Sequence, residues 1–335
     1  MPPSCILDIQ DLVVQYNLPG KTVSALRSIN LKVERGEILA VVGESGSGKS
    51  TLGLAVLGLV KKPGLIRDGR IIFNDVDLLK LQRNDLRKIR GKRIAAVPQD
   101  PMTSLNPVRK IREHFVEMAK AHSGEMDEDK INERIKTVID YVNLPPGTLR
   151  SYPHELSGGM RQRVMISLAL FFGPDIILAD EPTTALDVVT EAQILDILKN
   201  LQRDAGLTMV IFTHNFGIVS RLADRVAVMY AGNLVEVGKI DEMFETPAHP
   251  YTQKLIASIP KLSSTTKDLV YIPGFPPDLS HLPSGCSFHP RCPYATELCT
   301  RVQPELTKEG RQYACHNPLL HQQHSSGDRI RLGAA

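Results

Sequence analysis

A glycine-rich segment at residues 43–50 has the composition and spacing of a loop that binds phosphate groups. It fits the pattern G-x-x-x-x-G-K-S and lies between a predicted buried strand at 37–42 and a predicted helix at 49–60. Glycines let backbone N–H groups approach phosphate oxygens, and the N-terminus of the helix adds partial positive charge. We expect Lys49 to reach the β- and γ-phosphates of a nucleotide and Ser50 to bind Mg²⁺. The expected nucleotide contacts are Gly43, Ser45, Gly46, Ser47, Gly48, Lys49, Ser50 and Thr51.

Two consecutive acids follow an apolar run at 176–179, which predicts a buried strand that ends in Asp180 and Glu181. Buried carboxylates are costly unless they serve a cation or a proton transfer. We expect Asp180 to orient Mg²⁺ and Glu181 to position and polarise an attacking water. Taken alone, the pair is equally typical of a strand that runs into a solvated turn. The phosphate loop upstream favours the catalytic interpretation.

A third segment, at 156–160, reads Leu-Ser-Gly-Gly-Met and is followed by Arg-Gln-Arg. It closely resembles the signature of ABC-type ATPases. The resemblance runs without a gap from residue 6 to about 260. It implies an α/β fold with a phosphate-loop core, a parallel sheet, an antiparallel β subdomain and a helical insert, and it implies ATP as the nucleotide.

Three further residues occupy positions that match functional positions of the family. Gln99 follows a predicted strand at 93–97 and resembles the glutamine that senses Mg²⁺ and water. His214 follows a predicted strand at 208–213 and resembles the switch histidine that contacts the γ-phosphate. Tyr16 precedes the phosphate loop and is similar to the aromatic residue that stacks on adenine. Alone, each could be an ordinary packed or exposed side chain.

The resemblance also implies that part of each nucleotide site comes from a second subunit. Ser157, Gly158 and Gly159 begin a predicted helix, so their N–H groups form a second anion site. In the family, this site meets the γ-phosphate held by the facing subunit, and the segment ending at Asp187 resembles the adjoining D-loop. Two subunits would therefore close head-to-tail around two ATP molecules.

The extended glutamine loop at 99–107 and the segments at 272–277 and 285–295 resemble the D-type ATPases of dipeptide and oligopeptide importers. Four cysteines lie in this last part of the chain with the spacing C-x5-C-x6-C-x15-C, which differs from the C-x2-C pairs of zinc knuckles. Four thiolates can hold a [4Fe–4S] cluster, and the resemblance implies one here. Its ligands would be Cys286, Cys292, Cys299 and Cys315.

Zinc remains the alternative metal, with His289 or His316 as further ligands, and an empty thiol state is also open. The segment is rich in proline and poor in periodic apolar residues, so we expect the metal to staple a small region that lacks a core of its own. A redox or iron-sensing role is the weaker reading. Cys5 lies far away in the sequence and is expected to be a bystander.

The elements that must position these residues alternate between strand and helix at 37–60 and again at 175–230, which predicts a mainly parallel sheet. Between them, helical patterns predict a subdomain at about 100–172. We expect an ATPase domain at 1–260, an irregular metal-stapled C-terminal region at 261–320 and a disordered tail at 321–335.

Bulk composition limits the partners. Formal charge is +3 from 40 basic and 37 acidic residues, which gives no electrostatic argument for binding nucleic acid. No run approaches the roughly 18 apolar residues that cross a bilayer, and the N-terminus lacks the pattern of a secretion signal. We expect a peripheral protein on the cytoplasmic face of the cell membrane.

The resemblance implies partners of several kinds. These are two permease chains, a second related ATPase and an extracytoplasmic solute-binding protein. The solute is open, since relatives import dipeptides, oligopeptides, nickel or oligosaccharides. A soluble ABC ATPase acting on ribosomes or DNA is disfavoured because the chain has one ATPase domain and no heptad run. An iron–sulfur regulator is disfavoured by the intact Glu181 and His214.

Overall fold

The computed structural model describes residues 5–123, 127–259, 272–308 and 310–321. The strands are β1 (Cys5–Leu18), β2 (Lys21–Glu34), β3 (Ile38–Val42), β4 (Gly64–Phe73), β5 (Val76–Asp77), β6 (Ile94–Val97), β7 (Ile176–Asp180), β8 (Thr208–Thr213), β9 (Arg225–Tyr230), β10 (Asn233–Lys239) and β11 (Gln312–Tyr313). The α-helices are α1 (Lys49–Val56), α2 (Arg83–Ile89), α3 (Pro101–Ser104), α4 (Ile111–Ser123), α5 (Glu128–Tyr141), α6 (Gly158–Leu170), α7 (Val188–Ala205), α8 (Phe216–Leu222), α9 (Ile240–Glu245), α10 (Pro250–Ala257) and α11 (Glu297–Arg301). Short 3-10 helices lie at Leu78–Lys80, Pro146–Arg150, Pro153–Glu155, His289–Arg291 and Leu319–His321.

The central sheet has the strand order β11-β10-β9-β3-β8-β7-β6. The five strands from β9 to β6 are parallel, whereas β10 and β11 add on in antiparallel fashion. The predicted parallel sheet is therefore confirmed for those five strands, and the sheet as a whole is mixed. Parallel order brings the carboxyl ends of β3, β6, β7 and β8 to one edge, and the predicted site residues follow these ends.

Alternate residues of β3 enter two different hydrophobic cores, so the strand is buried on both faces as parallel strands usually are. Ile38, Ala40 and Val42 face a core that includes the helices after residue 100. Leu39 and Val41 face a second core shared with α1 and the other sheet. Both faces of the sheet are thus covered, and the loop after β3 is fixed from both sides.

The second sheet is antiparallel and has the order β2-β1-β4-β5. Its first strand is longer than the predicted 6–14 and runs from residue 5 to residue 18. The strand patterns of β2 and β4 are interrupted by charged residues on the exposed face, so only the structure reveals them. This sheet is the expected antiparallel subdomain.

Helices α3 to α6 occupy the segment for which the sequence predicts a helical insert. Helix α5 buries Ile131, Ile135, Val138 and Ile139, which lie on one face at helical spacing. No helix within the described ranges is long and apolar enough to cross a membrane.

The C-terminal residues are attached to β9, β10 and α10 by direct contacts. Phe288 is 1% exposed, and its ring centroid lies 5.2 Å from that of Tyr230 and 5.3 Å from that of Tyr251. Arg311 forms a buried ion pair with Glu236 of β10, and β11 pairs with the same strand. The Phe288 side chain joins the main core, so this region is anchored by packing against the rest of the chain. The predicted tail at 321–335 lies outside the described residues except for residue 321.

Candidate nucleotide site

The loop between β3 and α1 has a backbone that only glycines can form at two positions. Gly48 has φ +107°, a conformation that L-residues rarely adopt. A Cβ on Gly43 would lie 2.2 Å from the backbone oxygen of Met229 on the neighbouring strand. The loop therefore lies close against β9.

Lys49 begins α1 and is 8% exposed. Its Nζ donates hydrogen bonds to the backbone oxygens of Gly43 at 2.7 Å and Glu44 at 3.0 Å. Burial lowers the pKa of Lys49, and the carboxylates of Glu181, Asp180 and Glu44 oppose that shift. The predicted lysine and the predicted acids are thus brought within electrostatic reach of one another.

Asp180 is the last residue of β7, beside the phosphate loop. Burial raises the pKa of this carboxyl, while a hydrogen bond from the Ser50 side chain lowers it. Two of the three predicted Mg²⁺ ligands, Ser50 and Asp180, therefore lie together and supply oxygen atoms. Mg²⁺ in nucleotide sites takes one or two protein oxygens and completes its shell with waters and phosphates, so this pair fits the ion.

Glu181 is 9% exposed and has φ +47°, a strained backbone conformation. Its Oε1 lies 2.6 Å from Nδ1 of His214 and accepts the His214 N–H at 3.1 Å. Its Oε2 accepts from the hydroxyls of Thr213 at 3.2 Å and Thr184 at 3.0 Å. The carboxylate is held on both oxygens, while the His214 side chain is 64% exposed.

Sequence reasoning did not single out Thr184 and Thr213 as contributors to the site. Thr184 lies three residues after the acid, inside the turn that follows β7, and Thr213 is the last residue of β8. A threonine at a strand end beside two acids was a signal available in the sequence. The Thr213 contact could not be assigned before the strand order was known, whereas Thr184 lies within one turn of Glu181 in the sequence.

Gln99 is exposed two residues beyond β6, which pairs with β7. It therefore lies at the same sheet edge as the acids. Tyr16 belongs to β1, where it pairs with Val23 and Gly64. A Cβ on Gly64 would lie 2.7 Å from the Tyr16 ring, so the ring packs directly over this glycine.

The signature segment occupies the start of α6. Ser157 is the N-cap of this helix and accepts the N–H of Met160 at 3.3 Å. Asp187 caps α7 and accepts both the N–H and the hydroxyl of Thr190, at 3.0 and 2.7 Å. These hydrogen bonds lower the pKa of Asp187. A Cβ on Gly159 would lie 2.3 Å from Cγ2 of Thr190, so the two helix starts pack tightly together.

Neither helix start is bonded to the phosphate loop. Across the described ranges, the hydrogen bonds and ion pairs of Ser157 and Asp187 stay within their own helix starts. Both residues are exposed. These two helix starts therefore face solvent rather than the phosphate loop of the same chain.

Comparison with known proteins agrees with this geometry. Residues 26–184 match the family described as "ABC transporter", and residues 235–299 match "Oligopeptide/dipeptide transporter, C-terminal region". The oligopeptide transport ATP-binding protein OppD of Salmonella typhimurium is 41% identical over 95% of each chain. The dipeptide transport ATP-binding protein DppD of Bacillus subtilis is 42% identical over 90% of this chain and 91% of its own. The chain belongs to the OppD/DppD family of ABC transporter ATP-binding subunits.

Solved structures support the assignment for the ATPase part. The ATP-binding cassette MJ0796, in a dimeric post-hydrolysis state with ADP and Pi, superposes with a TM-score of 0.63 at 29% identity. It covers 70% of this ATP-binding subunit and 98% of its own chain. The subunit is therefore an ATPase of the ABC type.

The four C-terminal cysteines of the subunit lie in one neighbourhood and are not joined by disulfides. Burial raises the pKa of Cys286, Cys292 and Cys315, the last to about 12, and nearby cysteines add to each rise. Among the described residues, no group of three or more His, Cys, Asp or Glu side chains is arranged to hold a metal ion. The arrangement does not support the predicted iron–sulfur cluster, its zinc alternative or the metal staple.

The two histidines of the zinc alternative each use one ring nitrogen for a contact with a backbone carbonyl. Nδ1 of His289 lies 3.0 Å from the backbone oxygen of Cys286, and Nε2 of His316 lies 2.9 Å from that of Val302. Each has only one ring nitrogen left for another partner.

Proposed function

We propose that this chain is the ATP-hydrolysing subunit of a membrane importer for dipeptides or oligopeptides. The observation that carries the proposal is the pairing of an intact ATPase site with a C-terminal region typical of oligopeptide and dipeptide transporters. Relatives named for oligopeptide and dipeptide transport match over at least nine-tenths of this chain. Relatives of this kind favour peptides over nickel or oligosaccharides as the solute.

In the proposed reaction, the phosphate loop binds the triphosphate through its N–H groups and Lys49 contacts the β- and γ-phosphates. Mg²⁺, held by Ser50 and Asp180 with Gln99 nearby, would neutralise charge on the phosphates. Glu181 orients the attacking water and accepts its proton, which its contact with His214 supports. Tyr16 stacks on the adenine. His214 has an exposed side chain that is free to approach the γ-phosphate.

The second half of each site comes from a facing ATPase. The signature and D-loop residues lie at two helix starts, where N–H groups attract anions, and all of them except the buried Gly159 are exposed: Ser157, Gly158, Gly159 and Asp187. Binding of ATP would close the pair head-to-tail, and hydrolysis would remove the shared ligand. The facing subunit is proposed to be a related, non-identical ATPase.

The remaining partners follow from the transport role. The subunit lies on the cytoplasmic face of the membrane and contacts two permease chains through the helical segment at about 100–172. An extracytoplasmic binding protein delivers the peptide. The chain divides into the ATPase domain at 1–260 and the C-terminal region at 261–320.

The [4Fe–4S] cluster at the four cysteines remains a prediction, with zinc as the alternative. Its support is that these cysteines are free and close enough to influence one another. Anaerobically purified protein should be analysed for iron, acid-labile sulfide and zinc. About four irons and four sulfides per chain support the cluster. One zinc per chain supports the zinc site. The absence of both iron and zinc contradicts the cluster and the zinc site alike.

The transport role is tested by affinity purification of the chain from gently solubilised native membranes, followed by reconstitution in vesicles. We expect two polytopic permeases, a second ATPase and a binding protein to copurify. The recovered complex should take up labelled di- or oligopeptide when ATP is supplied on the ATPase side, and nickel or oligosaccharide should not compete. Recovery of ribosomal or DNA-repair proteins instead would refute the transport role.

A further inference from the structure

Glu44, the second residue of the phosphate loop, is held at its N–H, its carbonyl and its side chain. Its backbone N–H donates to the hydroxyl of Tyr251 in α10 at 3.0 Å. Its carbonyl accepts from Lys49 Nζ at 3.0 Å and from the Ser47 N–H at 3.2 Å. Any shift of Glu44 therefore moves a carbonyl that holds the lysine of the loop.

The side chain of Glu44 is held by a residue from the C-terminal region. Nη1 and Nη2 of Arg291 donate to Oε2 and Oε1 of Glu44 at 2.7 and 3.0 Å. This fork-to-fork geometry is the strong, orienting form of an ion pair. The Arg291 side chain is 5% exposed, so solvent screens the pair little.

Arg291 is itself fixed by further contacts. Its Nε donates to the backbone oxygen of Pro273 at 2.9 Å, and Nη1 donates to the Tyr230 hydroxyl at 3.3 Å. Burial alone would lower the pKa of Arg291, but the hydrogen bonds with Glu44 and Tyr230 raise it above its ordinary value. The guanidinium is therefore a charged, immobile group beside the loop.

The same C-terminal segment also supports the second anchor of Glu44. Phe288, three residues before Arg291, packs against Tyr251, whose hydroxyl accepts from the Glu44 N–H. The side chain and the N–H of Glu44 thus both depend on residues 288–291. This segment lies directly before Cys292.

We propose that Arg291 is a positioning residue through which the C-terminal region sets the geometry of the phosphate loop. By binding both carboxylate oxygens, it orients Glu44 and neutralises a negative charge that would otherwise repel the incoming phosphates. The inference rests on the proposed function in one respect, namely that this loop binds the phosphates of ATP. It assigns the C-terminal region a part in nucleotide affinity.

Nucleotide affinity of the full-length chain tests the inference. For Arg291→Ala, we expect Kd and KM for MgATP to rise about tenfold, the size expected from loss of one charge-assisted interaction, with kcat within about threefold of the parent. Arg291→Lys keeps the positive charge but cannot bind both carboxylate oxygens in the same geometry, so its affinity should lie between those of Arg291→Ala and the parent. Arg301→Ala removes an exposed arginine of the same region and should leave Kd unchanged.

A double-mutant cycle separates positioning from general damage to the fold. In a Glu44→Gln background, Arg291→Ala should raise Kd by less than about threefold, because the carboxylate it orients is gone. An equal effect in both backgrounds would overturn the inference, as would an unchanged Kd in folded Arg291→Ala. If Arg291→Ala does not fold, Arg291→Lys and Glu44→Gln decide, and parental affinity in both overturns it. Failure of the parent chain to bind MgATP would refute the proposed nucleotide site instead.

Discussion

The two halves of the proposed nucleotide site are built in opposite ways. Lys49 and Glu181 are buried, and their hydrogen bonds hold them within one chain. Ser157 and Asp187 cap exposed helices and bond only within their own helix starts, as far as the described residues extend. The side chains of the buried half are fixed by contacts within the chain, whereas Ser157 and Asp187 face solvent.

The largest expected effect lies in the buried half. Glu181→Gln should still bind ATP, because the amide keeps the shape of the side chain, but steady-state hydrolysis should fall by about 10²- to 10⁴-fold. Fluorescent ATP-analogue binding and phosphate release measure the two quantities. Glu245→Gln changes an exposed acid and is the control. Near-parental turnover in Glu181→Gln would refute the base role.

Lys49→Ala tests whether the buried half alone determines binding. Loss of the ammonium that faces the phosphates should weaken MgATP binding by about 10- to 100-fold, which follows from the value of a hydrogen bond to a charged group. Isothermal titration measures the affinity. Lys80→Ala removes an exposed lysine and should bind normally. If Lys49→Ala bound MgATP with parental affinity, Lys49 would not contact the phosphates.

Substitutions at two adjacent glycines can separate a phosphate-binding role of the exposed half from a role in packing. A Cβ on Gly158 would make an ordinary 3.4 Å contact with Leu186, so Gly158→Ala should fold with parental Tm and bind ATP. Hydrolysis by the assembled complex should nevertheless fall about tenfold, because the methyl group obstructs the N–H groups that face the partner's phosphate. Full hydrolysis in Gly158→Ala would remove the argument for a shared site.

Gly159→Ala is the matched comparison at the next position. Its methyl group would lie 2.3 Å from Thr190, so this variant should lose stability by about 1–3 kcal/mol. Thermal unfolding measures the difference. If Gly158→Ala were equally destabilised, the two positions would share one packing role.

A pH-dependent effect concerns the support beneath the phosphate loop. Burial lowers the pKa of His249 from 6.5 to about 3. The unfolded chain therefore binds a proton that the folded chain rejects, and stability falls as pH drops from 6.5 toward 3. The slope is at most about 1.4 kcal/mol per pH unit. Urea unfolding of His249→Asn, which keeps an acceptor for the Tyr251 N–H, should show a shallower slope, while the exposed His281→Asn should match the parent.

The parts of the site that could be predicted from the sequence consist of residues that are close together along the chain. The phosphate loop and the acidic pair each combine a strand end with neighbouring residues, so spacing alone predicts their position. Predicting the contact between Glu181 and His214 also requires that β7 and β8 are neighbours. The alternation of strands and helices is consistent with that parallel pairing.

Other features depended on long-range packing and could not be read from the chain. The pair between Glu44 and Arg291 joins residues 247 positions apart. The C-terminal region was expected to need a metal because its apolar residues are few. Phe288 packs against Tyr230 in the core of the ATPase domain. A single buried ring leaves no periodic pattern in the sequence, so this contact could not be predicted.

The short strand β11 also has a consequence for solubility. It pairs Gln312 and Tyr313 with β10, whose outer edge would otherwise present unpaired backbone N–H and C=O groups. Such an edge is a template for pairing with other chains, whereas a two-residue edge strand offers little to pair with. Shortening the protein before residue 312 should therefore yield aggregates rather than a smaller soluble ATPase. The C-terminal residues keep the sheet from growing between molecules.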